Sequence, residues 1–156
     1  MILNRQREVR ISISPLEKFL KRAQSRLHLP EGSLTVALVS NADIAHWNRS
    51  YRGKNRPTDV LSFPVKRSSP QRRARKSAVK AAAAPADSGD GPYLGDIAIA
   101  PAVARENAAR LGRTFETEMR ILILHGILHL MGYDHETDTG QMERRERTLR
   151  RDLGIA

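Results

Sequence analysis

One eleven-residue stretch constrains this chain more than any other: His125-Gly-Ile-Leu-His129-Leu-Met-Gly132-Tyr-Asp-His135. It follows a strongly apolar run, Ile121 to Leu124. A helix through these residues is apolar nearly all round, and such a helix belongs in the middle of a fold rather than on its surface. His125 and His129, four residues apart, then stand on one face of it, roughly one turn or about 6 Å apart along the axis. Gly132 lies just past the last periodic apolar residue, where glycine commonly takes the left-handed conformation that ends a helix. The chain can turn back there and carry His135 toward the same point.

Two imidazoles on successive turns and a third from the return loop can meet at one metal ion. Three His ligands leave one tetrahedral position open, the arrangement of catalytic rather than structural zinc. Neutral imidazole suits zinc, and it also suits copper, nickel and iron. The bland alternative is a set of buried core histidines. It loses weight because three of the chain's five His share this spacing beside a turn glycine. The spacing H-x3-H-x5-H is also that of the metzincin proteases, which carry Glu directly after the first His as general base. Here that position is Gly126, so a protease reading has ligands and no base. Glycine inside a helix costs roughly 1 kcal/mol relative to Ala. Close approach of another backbone or of a ligand is the expected reason for placing it there.

Two further blocks stand upstream. Asn48-x-x-Tyr51-Arg52 is followed by Pro57-Thr58-Asp59-Val60-Leu61-Ser62-Phe63-Pro64, and Leu94-Gly95-Asp96-Ile97 comes later. With His125-Gly126-x-Leu128-His129-Leu130-x-Gly132-Tyr133-Asp134-His135 they resemble, in order, the signature of the YbeY family, bacterial endoribonucleases of ribosomal RNA maturation. The match runs with gaps from about Asn48 to His135, and the N-terminal third agrees only in general pattern. The resemblance implies a zinc-dependent, single-strand endoribonuclease. Its implied work is 3′-end maturation of 16S ribosomal RNA and ribosome quality control, with ribosomal RNA and the small ribosomal subunit as partners. It implies one zinc ion held by His125, His129 and His135, and a functional arginine, Arg52, near the metal. Arginine suits phosphate because its planar fork gives paired, charge-assisted hydrogen bonds.

The chain's length, 156 residues, suits one domain with a real core, residues 1–156. With no Cys, disulfides and thiolate metal sites are excluded. No apolar run is long enough to span a membrane, and the N-terminus lacks a signal-peptide core. These features lead to the expectation of a cytoplasmic protein with no membrane partner. The net charge of +10 suits a polyanionic partner. Half of that excess, however, lies in residues 66–92, with seven basic and two acidic side chains. This Ala-, Ser- and Arg-rich segment cannot bury a core. It is expected to be a mobile insert, with a basic arm that lengthens the RNA footprint as the functional alternative.

Read in order, Val9, Ile11 and Ile13 alternate with polar residues as in a half-buried strand. Ser14-Pro15-Leu16-Glu17 reads as a capping box opening a helix to about Leu29. Leu34 to Val39 is a buried strand, and Asn41 is the expected cap of a helix with Ile44, Trp47, Asn48 and Tyr51 on one face. His28 and His46 are expected to be exposed. Val60 to Phe63 reads as a short strand whose flanking prolines confine it or mark an edge, and an edge strand there could hold an extended substrate. Thr58 and Asp59 fit either a turn-fixing or a cleft-shaping role. Leu94 to Ala100 is a further strand, in which Asp96 suits a structural hydrogen bond better than a place behind a metal-bound His. Helices then run from Pro101 to Gly112, from a Thr114 cap into the histidine helix, and from Thr139 to Leu153 as a surface cover. The order β-α-β-α-β-insert-β-α-α-α indicates an α+β domain, a small mixed sheet packed on helices with the histidine helix buried at the centre.

Three functions fit these residues. The first is a metal-dependent endoribonuclease. The second is a non-catalytic RNA- or ribosome-associated factor whose metal supports the fold, with Asp134, Glu136 or Asp138 as a closing fourth ligand. The third is a metalloprotease, which Gly126 argues against.

Overall fold

The computed structural model describes residues 1–53, 58–65, 93–134 and 138–155, the Arg52 side chain excepted. Among the described residues four strands form one sheet: β1 (Ile2–Asn4), β2 (Leu34–Leu38), β3 (Val60–Pro64) and β4 (Gly95–Ile99), in the order β1-β2-β4-β3. β1 and β4 flank β2 in parallel, while β3 runs antiparallel to β4 with Ser62 opposite Ile97. Every residue of β2 and β4 is buried, as parallel strands covered on both faces require. β3 alternates buried and partly buried residues and forms one edge of the sheet. The proline-bounded segment is thus an edge strand.

The helices among the described residues are α1 (Ile13–Arg26), α2 (Asn41–Arg52), α3 (Pro101–Leu111), α4 (Phe115–Leu130) and α5 (Gln141–Leu153). Side chains of β4 divide by strand alternation. Ile97 and Ile99 join the main core with Leu16, Leu20, Leu124 and Ile127. Ala98 and its neighbour Ala100 face a smaller cluster with Ile44, Trp47 and Phe63. α4 packs against β3 and β4 and is flanked by α1, α3 and α5. Ten of its 16 residues are buried, so it is the central helix that its all-round apolar character predicts.

Several boundaries follow the sequence closely. Pro101 opens α3 and Gly112 closes it. The Thr114 hydroxyl caps α4 by accepting the Thr117 N–H at 3.1 Å, and Gly132 turns the chain at φ +102°. Three expectations need correction. In place of the strand expected at Val9 to Ile13, residues 9–12 form a loop that leads into α1 at Ile13, and the first strand is Ile2–Asn4. The misleading alternation has a physical source. The Gln6 side-chain amide donates to the Val9 carbonyl at 2.9 Å and accepts from the Val9 N–H at 2.9 Å. One side chain thereby satisfies the backbone groups that a neighbouring strand would have held, and Val9 is buried outside any ladder. α1 begins at Ile13 after Ser12, without a side-chain cap, so Ser14 is inside the helix. It stops at Arg26, short of the expected Leu29, and His28 takes φ +57° beyond it. In α2 the cap is Ser40, whose hydroxyl accepts the Asp43 N–H at 3.1 Å, and Asn41 is the first helical residue.

Asp96 settles into a structural setting. It is fully buried and accepts a hydrogen bond from the Tyr93 hydroxyl, which lies 2.8 Å from Thr35 Oγ1. Burial and the neighbouring carboxylate push the Tyr93 phenol well above its usual range. Alternation along β4 points Asp96 away from the face on which Ile97 meets α4. Asp59 also serves the fold: its carboxylate accepts from Asn107 Nδ2 of α3 at 3.2 Å, and its carbonyl accepts the Ala100 N–H at 2.9 Å. The segment 66–92 lies outside the described residues.

Candidate metal centre

Along Ile121–Leu130, the second half of α4, eight residues are buried and only His125 and His129 are partly exposed. The helix therefore reaches the surface where its imidazoles stand, which is the opposite of a core-histidine arrangement. The two rings lie 4.6 Å apart at 76° to each other, with Nε2 of one 3.1 Å from Nε2 of the other. Zinc binds imidazole nitrogen at about 2.0–2.1 Å, so an ion touching both nitrogens would subtend an N–metal–N angle of roughly 100°, near tetrahedral. Two lone pairs meeting at that separation repel unless a proton or a cation sits between them. The pair thus fits an ion by distance and by the chemistry of its donors.

Why α4 can run so close to the sheet is visible at Gly126. A Cβ there would stand 2.8 Å from Cγ2 and 2.9 Å from Cδ1 of Ile97, a fully buried residue of β4. The place that carries a catalytic glutamate in metzincins is here the contact between helix and sheet. The Gly126 carbonyl accepts from Ser62 Oγ at 3.3 Å, which ties edge strand β3 to α4 between the two histidines.

Of the other expected site residues, His135 lies outside the described residues, as does Glu136. Arg52 is the last residue of α2, and its side chain is likewise outside the description. The end of α2 is held against β3 by Tyr51, whose ring meets Phe63 edge-on at 5.1 Å. β3 thus stands between the end of α2 and α4. Among the described residues no group of three or more His, Cys, Asp or Glu could hold a metal, and two of the three expected ligands are juxtaposed. Asp138, a possible closing ligand by sequence, spends both oxygens on α5: they accept the Gly140 and Met142 N–H groups at 2.9 Å each. Asp134 is exposed, and its carbonyl accepts the Asp138 N–H at 3.0 Å.

Sequence reasoning missed Glu146. Its Oε1 lies 3.1 Å from His125 Nδ1. The expected role of α5 as a mere cover is therefore incomplete, since it also brings a carboxylate to the histidine pair. A signal was available. Met142, Leu149 and Leu153 form the buried stripe of α5, and Glu146, four residues after Met142 and three before Leu149, falls on that stripe. An acid on an inward face calls for a partner.

The family described as Endoribonuclease YbeY matches residues 1–154. Among curated relatives, an Endoribonuclease YbeY from Sulfurovum is 33% identical over 153 residues, covering 98% of this chain and 90% of the relative. One from Koribacter versatilis is 37% identical over 155 residues, covering 99% and 86%. One from Geobacillus thermodenitrificans is 40% identical over 127 residues, covering 81% and 75%. A solution structure of a Thermotoga maritima protein superposes with a TM-score of 0.52 at 27% identity, covering 98% of this chain and 89% of that one. Similarity therefore extends over almost the full length and includes both the sheet and the histidine helix, and the chain belongs to the endoribonuclease YbeY family.

Proposed function

We propose that this endoribonuclease cuts single-stranded ribosomal RNA with the help of a zinc ion held by His125, His129 and His135, and that it works in the cytoplasm on the small ribosomal subunit, in 3′-end maturation of 16S ribosomal RNA and in ribosome quality control. The observation that carries the metal reading is the 3.1 Å separation of the two Nε2 atoms, the histidines being the partly exposed residues of a stretch, Ile121–Leu130, that is otherwise buried. A zinc ion there would supply Lewis acidity, polarising a phosphoryl oxygen or activating a water near neutral pH.

The remaining tasks fall to the chain. His125 and His129 project from a helix locked into the core on both sides, so their spacing is set before substrate arrives. Arg52 binds the phosphate and offsets the charge that develops on it during cleavage. The net charge of +10 favours encounter with RNA, and its benefit falls as salt rises. Among the described residues no helix is long and apolar enough to cross a membrane.

Replacing Arg52 by alanine separates the two parts of this reading. Zinc content is expected to stay at the wild-type level, while cleavage of single-stranded RNA falls about 10²–10³-fold, the usual cost of one charge-stabilising donor. Metal analysis and single-turnover cleavage on the same preparation check both. An Arg52→Ala protein with full turnover would remove Arg52 from the mechanism.

A further inference from the structure

We infer that Glu146 is the residue that positions His125 as a ligand, holding the ring in the one tautomer and orientation that directs Nε2 at the metal. The inference rests on the proposed three-histidine metal site and adds a residue from a different helix. Glu146 reaches His125 from α5, across the packing between α4 and α5. Its Oε1 accepts from Nδ1 at 3.1 Å. A proton held on Nδ1 makes Nε2 the lone-pair nitrogen of the ring, and Nε2 is the atom 3.1 Å from its counterpart on His129. The two ring nitrogens point to opposite sides of the imidazole. A carboxylate gripping Nδ1 therefore stands behind the ligand and is not itself a ligand. The negative charge also makes the imidazole a better donor to a cation.

The surroundings fit a fixed carboxylate. The Glu146 side chain is only 18% exposed, and its second oxygen, Oε2, lies 3.9 Å from Arg150 Nη1 one turn along α5. Met142 and Leu149, buried on either side of it, anchor that face of the helix in the core. Glu146 is thus held by its backbone on one side and by Arg150 on the other, with His125 as its partner.

The test is zinc affinity, measured by competition with a chromophoric chelator on full-length wild type, Glu146→Gln, Glu146→Ala and His129→Ala. Thermal unfolding of each metal-free protein is run alongside. Glu146→Ala is expected to weaken zinc binding about 10–100-fold. Glu146→Gln keeps an acceptor for Nδ1 and loses the charge, so it should fall between that and wild type. The metal-free proteins should unfold within a few degrees of one another. Wild-type zinc affinity in both Glu146 variants, with His129→Ala unable to bind, would overturn the positioning role and leave the histidine site standing. Failure of wild type itself to take up zinc would overturn the site, and this inference with it.

Discussion

Alanine at position 129 is expected to leave the protein folded, abolish stoichiometric zinc binding and lower RNA cleavage by more than the roughly 10²–10³-fold that loss of a single charge-stabilising donor costs. The fold survives because His129 is partly exposed on α4 and alanine is the best helix former. Zinc binding fails because only two of the three protein ligands remain. A linked stability effect follows. Zinc at about 100 times its dissociation constant stabilises the wild type by about 2.7 kcal/mol, and the variant should show no such rise. Metal analysis, cleavage kinetics and melting with and without zinc read the three effects separately. Zinc-dependent melting in the variant, equal to that of wild type, would show that His129 is not a ligand.

Glutamate at position 126 would restore the metzincin pattern of His-Glu-x-x-His, and here it is expected to unfold the protein. Alanine already forces a Cβ to 2.8 Å from Ile97 Cγ2. That overpacking costs about 1–3 kcal/mol, offset by the roughly 1 kcal/mol that alanine adds to the helix. Glutamate adds a carboxyl group buried without a partner between α4 and β4, at about 2–7 kcal/mol. The combined cost reaches much of the 5–15 kcal/mol that holds a typical domain together. Soluble yield and denaturant unfolding measure it, and no peptidase activity is expected. A Gly126→Glu protein of near wild-type stability would mean that helix and sheet are less closely packed than the Gly126–Ile97 contact requires.

The same position shows what the sequence discloses. Gly126 between two histidines read as a close approach of another backbone or of a ligand; what lies against it is the side chain of Ile97. α4 itself was legible in detail because local signals coincide there: a Thr114 cap, an unbroken apolar run and a turn glycine. Strand order was not legible, since β2 pairs with β4 across roughly 60 residues and no local pattern encodes that choice. The strand misread at Val9 failed for a related reason. Alternation reports burial, and Gln6 supplies by side chain the hydrogen bonds that a ladder would give. Glu146 escaped because its partner lies 21 residues away on another helix. Only the packing of α5 on α4 makes an acid on an inward stripe intelligible.

Cleavage of a single-stranded ribosomal RNA fragment by wild-type protein, followed before chelation, after verified removal of metal and after return of one equivalent of zinc, tests the central claim most directly. Cleavage should stop with the metal and return with it, while His129→Ala, purified in parallel, stays inactive throughout. Undiminished cleavage by wild type shown to be metal-free would contradict that claim.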